Sequence, residues 1–589
     1  MPLSESPRTR SRGWLAVATL ALVGLVVPAG VLAAKPVPPV TIQFLNVSDW
    51  HGQIIPLNVR GVGNVGGAAV IAAYWAADRA GNPNTLTLTA GDDVGATPPI
   101  STFFDDVPSI VAQRMMGIQV GTFGNHNFDH GIERLQEQIN LAGAAADGSN
   151  PGSPFRYVSA NLANRDDNLT GVEDFAIFDV GGVQVGVVGI TNPEAPTLVF
   201  PGSFGTIFPT SPYPAANQAK AAAKRAGADI VVAIIHAGVR GFDSVTGEPF
   251  GELIDFANNV GGFDVIFGDH TDVQFSGVVN GQLVLENRSK GLTYARTSLT
   301  VDPRNGRVMS QDVDFVTPLE AGVTPDPAIA SYVAELQAAL APILGVQVAD
   351  STKEVPRTDQ CGNGDGRTCE SLVGNIVTDA MRASFPDMDF AITNAGGLRA
   401  ALTCPAGATD PNAGDFCPES LYPVPSDESL WPVTQGTVLD VLPFGNIVAF
   451  AEVTGEELDQ MLENGVSSMP GVNGRFAQVS GLCFTYDIDA PALSRVNDVV
   501  WANADGSCSA TAVDLSGSAT YNVVMNDFMA SGGDGYPNVA SRMTTGAIMA
   551  QAVADWLAAG GTVDPFVLAA PGGRINCTGT ACPTLVPSP

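Results

Sequence analysis

The first half of the chain carries five short polar clusters that could do chemistry, each just after an apolar run. They are Asp49-Trp50-His51, Gly91-Asp92-Asp93, the stretch Gly124-Asn125-His126-Asn127-Phe128-Asp129, the single His236, and Gly268-Asp269-His270-Thr271-Asp272. The chain has only 5 histidines, and His51, His126, His236 and His270 all fall here. Carboxylate, imidazole and amide groups form the mixed nitrogen and oxygen set that borderline divalent metals take. Two metals need about seven protein contacts with one carboxylate bridging, and these clusters supply that many. Cations held in this way lower the pKa of a bound water until hydroxide forms near neutral pH.

Taken singly, each cluster has a plain structural explanation. An Asp-x-His is more often a surface turn or a helix cap. A histidine at a strand end is usually a satisfied structural one, and Gly-Asn-His suits a left-handed turn. Five such pieces in this order, each after a strand, point to a site.

The elements that must position them are legible too. β-rich apolar runs at 41–47, 85–89, 119–122, 183–190, 230–235 and 265–267 alternate with helical patterns at 68–79, 132–142 and 215–226. That alternation predicts an α/β layered domain with its chemistry at the strand ends. A strand-turn-strand over 296–316, turning at 302–306, closes it. A helix over 327–344 reads as a connector, and a second α/β domain follows with helices expected at 371–384, 455–464 and 545–559. The division expected is a catalytic domain at 41–318, a linker at 319–345, a second domain at 346–575 and a tail at 576–589.

At 589 residues the chain is too long for one core, and two large domains are the natural reading. Sixty acidic against 28 basic residues give a formal charge of -32, which repels nucleic-acid backbones and makes polymeric DNA or RNA an unsuitable partner. Small phosphorylated substrates remain open, because bound metal supplies a local positive field. Arg8, Arg10 and Arg12 precede an apolar run that ends at Ala33-Ala34. This order reads as a signal peptide over 1–34, with an uncleaved anchor as the alternative. No later stretch has the length and purity of a membrane span. Eight cysteines, all after residue 360, fall in local pairs: Cys361/Cys369, Cys404/Cys417, Cys483/Cys508 and Cys577/Cys582. An even count in an exported chain implies disulfides, with nearest-neighbour pairing the simplest arrangement. The expected location is secreted, extracellular or periplasmic, with attachment to the cell envelope left open.

The order of the five clusters resembles the calcineurin-like metallophosphoesterases. "LTAGDD", "TFGNHNFDHG" and "SANL" resemble more narrowly the 5′-nucleotidase family. The resemblance implies a four-layer αββα metallophosphoesterase sandwich followed by an α/β substrate-binding domain, and two divalent metal ions, zinc, manganese or similar. It implies that Asp49, His51, Asp92 and Asp272 hold one metal, and that Asp92, Asn125, His236 and His270 hold the other. His126, paired with Asp129, would be the catalytic dyad. Asp272 departs from the His, Gln or Asn common in the family and adds a negative charge, a weak tilt towards a harder metal. His130 matches no family role and reads as a solvated loop residue.

The second domain carries the resemblance further, in "SLVGNIVTDAM", "TNAGGLRA", "VLPFGNIV", "GRFAQVSGL" and "NDFMASGGDGY". It implies that Asn394 and Arg399 contact substrate while Gly396 and Gly397 let the backbone approach. Phe444 and Phe528 would clamp a base, and Asp534 would bind ribose hydroxyls. Core phenylalanines and a tight turn are the structural alternatives. The arginine often found before the Glu of this family's motif is replaced by Cys369, with Arg367 two residues earlier. The implied activity is hydrolysis of 5′-nucleotides to nucleoside and phosphate. A 2′,3′-cyclic phosphodiesterase/3′-nucleotidase or a UDP-sugar hydrolase is the near alternative. A non-catalytic nucleotide-binding surface protein is the distant one, and the complete ligand set counts against it.

Overall fold

In a computed structural model, the described residues are 38–59, 62–199, 202–243, 245–404, 430–503, 506–565 and 573–586. The expected signal segment at 1–34 and Cys417 lie outside them.

The apolar runs of the first half form two sheets packed face to face. One has seven strands in the order Arg307–Val316, Tyr294–Asp302, Val40–Asn46, Thr85–Thr89, Val120–Gly121, Arg156–Val158 and Val172–Glu173. The other has six, in the order Phe275–Val279, Gln282–Glu286, Val265–Gly268, Ile230–Ile235, Val183–Ile190 and Phe175–Val180. The central strands pair in parallel, Val40–Asn46 with Thr85–Thr89 and Val183–Ile190 with Ile230–Ile235. Their inward residues (Ile42, Phe44, Leu86 and Leu88 against Val185, Val187, Val232 and Phe267) make one shared core, all fully buried. Each such side chain contributes about 1.5–3 kcal/mol on burial.

Helices Ala68–Gly81, Val107–Met116 and Gly131–Gly143 cover the outer face of the first sheet. Helices Pro212–Arg225 and Glu252–Asn259 cover the second. The result is the αββα sandwich, with the polar clusters at the carboxyl ends of its parallel strands.

Helix Pro327–Leu344 follows, started by Pro327 at its first position and by the Asp326 carboxylate, which accepts from Ala328 N and Ile329 N at 3.0 Å each. Among the described residues it is the one helix long and apolar enough to cross a membrane by length and composition. It nonetheless carries Glu335, and Ile329, Val333, Leu340 and Leu344 pack into the core of the first half.

The second half is built on a five-stranded sheet, Ala477–Ser480, Phe390–Asn394, Thr520–Asn526, Ile447–Thr454 and Thr544–Ile548, with a separate four-stranded sheet beside it. Helices Leu372–Ala383 and Gly455–Val466 lie where the pattern places them. The helix expected over 545–559 is shorter, Met549–Gly560, because 544–548 is an exposed edge strand paired with Ile447–Thr454. Disulfides join Cys361–Cys369, Cys483–Cys508 and Cys577–Cys582. Residues 39–589 form one compact unit.

Candidate active site

Three of the five clusters are held by strained turns. Asp49, His51, Asp92, His270 and Asp272 have φ of 43°, 48°, 46°, 93° and 62°. This is a region that non-glycine residues rarely occupy, and such strain gathers at functional sites. The turns are stitched to one another through the backbone. His51 N donates to Asp92 O at 2.9 Å, and His126 N donates to Asp92 Oδ1 at 2.9 Å. Asp49 N donates to Asp269 Oδ2 at 2.7 Å, and His270 N donates to Asp49 Oδ2 at 2.5 Å. Gly124 is required before Asn125, because a Cβ there would lie 2.0 Å from Asp92 Oδ1.

The ligand-type atoms converge. His236 Nε2 is 3.0 Å from Asp92 Oδ2, 3.2 Å from Asn125 Oδ1 and 3.0 Å from His270 Nδ1. Three overlapping groups could hold a metal ion: Asp92, His236 and His270; Asp49, His51 and Asp92; and Asp49, His236 and Asp269. His51 Nδ1 lies 2.9 Å from Gly95 O, a carbonyl that can only accept. The proton is therefore on Nδ1, and Nε2 keeps its lone pair for a cation.

The electrostatics fit a cation. Asp49, Asp92 and Asp269 are at most 2 % exposed. Burial raises the Asp49 carboxyl and, aided by Asp49, raises that of Asp269 well above the usual range. Burial also works to raise Asp92, but the His236, His126 and His51 imidazoles outweigh it and hold it below its ordinary value. Burial drives His51 and His270 well below theirs, towards the neutral form that a metal takes. Burial works to lower His236 as well, but Asp92 and Asp49 outweigh it and push it up to about 9. The site thus holds buried carboxylates in excess beside the two neutral imidazoles of His51 and His270, a donor set that suits a divalent cation.

Asp272 is not a member of those three groups, but it lies close enough to feel the Asp49 carboxylate. Its side chain hydrogen-bonds Ser289, and burial, then Asp365 and Asp49, push its carboxyl up to about 7. Asp269, one residue before His270, groups with Asp49 and His236.

His126 Nδ1 is 2.9 Å and 3.1 Å from the two carboxylate oxygens of Asp129. Its ring stacks on Phe444 at 5.5 Å and 22°, which brings the second half of the chain against the first. Arg399 Nη2 reaches 3.3 Å from His51 Nε2, with Cζ 5.7 Å above the Phe444 ring. Asn394 Nδ2 donates to Asp534 Oδ2 at 2.8 Å. All seven substrate-side candidates (Asn394, Gly396, Gly397, Arg399, Phe444, Phe528 and Asp534) line one cavity of about 280 Å³, which Asn125, His126, Asp129 and His270 close from the other side. Arg367 lines it as well, inside the Cys361–Cys369 loop, and exposed His130 stands at its rim. Among the described residues, the buried Nε atoms of Arg367 and Arg399 have no hydrogen-bond partner.

Residues 347–541 match the family "5′-nucleotidase, C-terminal domain". The structure of a 5′-nucleotidase precursor from Thermus thermophilus superposes with a TM-score of 0.73 at 25% identity, covering 91% of this chain and 99% of that one. The chain has the fold of the 5′-nucleotidase family. The 5′-nucleotidase of Vibrio cholerae is 23% identical over 89% of this chain and 91% of its own length. Endonuclease YhcR of Bacillus subtilis is 25% identical over 84% of this chain. Against three curated relatives, that endonuclease among them, the chain spans 37%, 66% and 30% of the relative's own length.

Proposed function

We propose that the chain is an exported, metal-dependent phosphohydrolase that releases phosphate from nucleoside 5′-monophosphates. The observation that carries this reading is the shared cavity, where the metal-type cluster on one wall faces an arginine, an aromatic ring and a buried carboxylate on the other. Residues 41–318 act as the metal half and residues 346–575 as the substrate half.

In this reading Asp49, His51, Asp92, Asn125, His236 and His270 hold two divalent cations, with Asp272 or Asp269 completing the set. Bound there, the cations supply an acidified water and polarise the phosphoryl oxygens. Arg399 and Arg367 offer guanidinium donors to those oxygens, and Arg399 keeps its fork above the Phe444 face. Asp129 accepts from His126 Nδ1, which fixes the tautomer and aims Nε2 away from the carboxylate. A proton held at His126 Nε2 can then pass to the leaving oxygen. Phe444 and Phe528 offer faces on which a base can stack, and Asp534 offers an acceptor for ribose hydroxyls. Catalysis rests on positioning and charge stabilisation, with no covalent intermediate.

The disulfides among the described residues support export, since such bonds persist in oxidising compartments. The substrate class is tested by phosphate release from a panel of AMP, 2′,3′-cyclic AMP and UDP-glucose. Preference for AMP supports the reading, and preference for either of the others replaces it.

A further inference from the structure

One residue ties the metal-side turns of the first half to the arginine loop of the second. Lys290 sits in a turn over 289–292, closed by Leu292 N donating to Ser289 O at 3.0 Å. Both central residues have left-handed φ, 55° at Lys290 and 70° at Gly291. Turns of this shape favour Gly, Asn or Asp at the first central position, so a lysine there is strained.

Its contacts account for that strain. Lys290 N donates to Asp49 O at 2.8 Å, and Lys290 Nζ donates to Arg399 O at 3.1 Å. One residue thus spans from the backbone of a candidate metal ligand to the backbone of the arginine facing His51. The preceding carbonyl, Leu398 O, accepts from Arg357 Nε at 3.1 Å, and Arg357 is itself held by Asp365 at 2.7 Å. Two consecutive carbonyls are therefore gripped by cations, Arg357 from the second half and Lys290 from the first. With those peptide planes fixed, the Arg399 side chain is directed over Phe444 towards His51 Nε2. Lys290 does not line the cavity.

We propose that Lys290 is a positioning residue that sets Arg399, through its carbonyl, against the metal-side wall and so determines phosphate affinity. This rests on the reading above in which Arg399 binds the phosphoryl group.

The test uses the full chain with Lys290→Asn and Lys290→Arg. Asparagine suits a left-handed φ, keeps the backbone bond to Asp49 and, with a short side chain that cannot reach Arg399 O, removes the ammonium contact without straining the turn. Loss of that charged hydrogen bond is expected to raise KM for AMP about tenfold with kcat little changed, while Tm holds or rises. Amide exchange over 395–402 is expected to quicken, and Lys290→Arg is expected to restore most of the affinity. In an Arg399→Ala background, Lys290→Asn should add little, since the two residues act as one unit. Unchanged exchange over 395–402 overturns the proposal whatever substrate the enzyme takes, as does an effect that adds in full to Arg399→Ala. A wild-type chain inert towards every nucleotide overturns the functional reading, while the exchange result still decides the contact.

Discussion

Arg399 Nη2 lies 3.3 Å from His51 Nε2, although 348 residues separate the two in the chain. Because His51 Nδ1 is engaged with Gly95 O, the atom facing the guanidinium is the one with a free lone pair. A guanidinium of one half and a candidate metal-ligating imidazole of the other therefore converge on the same point.

Arg399→Ala is expected to remove charge-assisted hydrogen bonds worth about 1.5–3 kcal/mol. That corresponds to roughly a ten- to hundredfold loss in kcat/KM for AMP. Arg399→Lys should recover little, because a point charge cannot reproduce the planar fork over Phe444. Steady-state kinetics of the two variants check this.

Phe444→Ala is expected to weaken AMP by about 1–3 kcal/mol through lost base stacking. The same variant should leave hydrolysis of a phosphoester without a base far less affected. Comparing AMP with p-nitrophenyl phosphate separates stacking from a general collapse of the site.

Gly124→Ala probes the cradle of Asp92, a carboxylate proposed to hold metal. A Cβ at this position meets Asp92 Oδ1 at 2.0 Å and Asp92 N at 2.8 Å, so the two turns must part. Metal affinity is expected to fall roughly 10- to 100-fold. Elemental analysis of the purified variant measures it.

The strand ends were legible because apolar β runs followed abruptly by Gly, Asp, Asn and His leave few other readings. Asp49, His51, Asp92, Asn125, His236 and His270 come together as that pattern implies. Asp269 was not legible as a member of the cluster, since nothing in Gly268-Asp269-His270 marks the residue before the histidine as the one that groups with Asp49 and His236. Lys290 was invisible for a different reason: its partner lies 109 residues away in the other half. The edge strand Thr544–Ile548 merges into the following helix in a sequence reading because all five of its residues are exposed and give no alternation of buried and open faces.

Stability should carry a pH signature away from the site. Burial raises the Asp264 carboxyl above its ordinary value, against the Val231 N–H that it accepts. A raised folded value means that the folded state binds the proton more tightly. Its contribution is complete below the ordinary carboxylate range and is lost as pH climbs through the raised value. Asp264→Asn keeps the acceptor for Val231 N and cannot ionise. Its Tm relative to the parent chain should therefore improve as pH rises from about 4 to 7. Thermal melts across that range check the sign.

Chelation is expected to lower Tm, because it removes a ligand that binds the folded chain alone. A cation at a hundred times its Kd contributes about 2.7 kcal/mol of folded-state stability. Melts with EDTA, then with Mn²⁺ restored, measure the reversible part.

The most direct measurement of the central claim is phosphate release from AMP by the chelated chain as Mn²⁺ or Zn²⁺ is titrated back, beside an Asp92→Ala control. The account predicts release that is absent without metal, rises to saturation with added metal, and stays absent in Asp92→Ala at every concentration. Release that persists after chelation, or an Asp92→Ala chain as active as its parent, would contradict it.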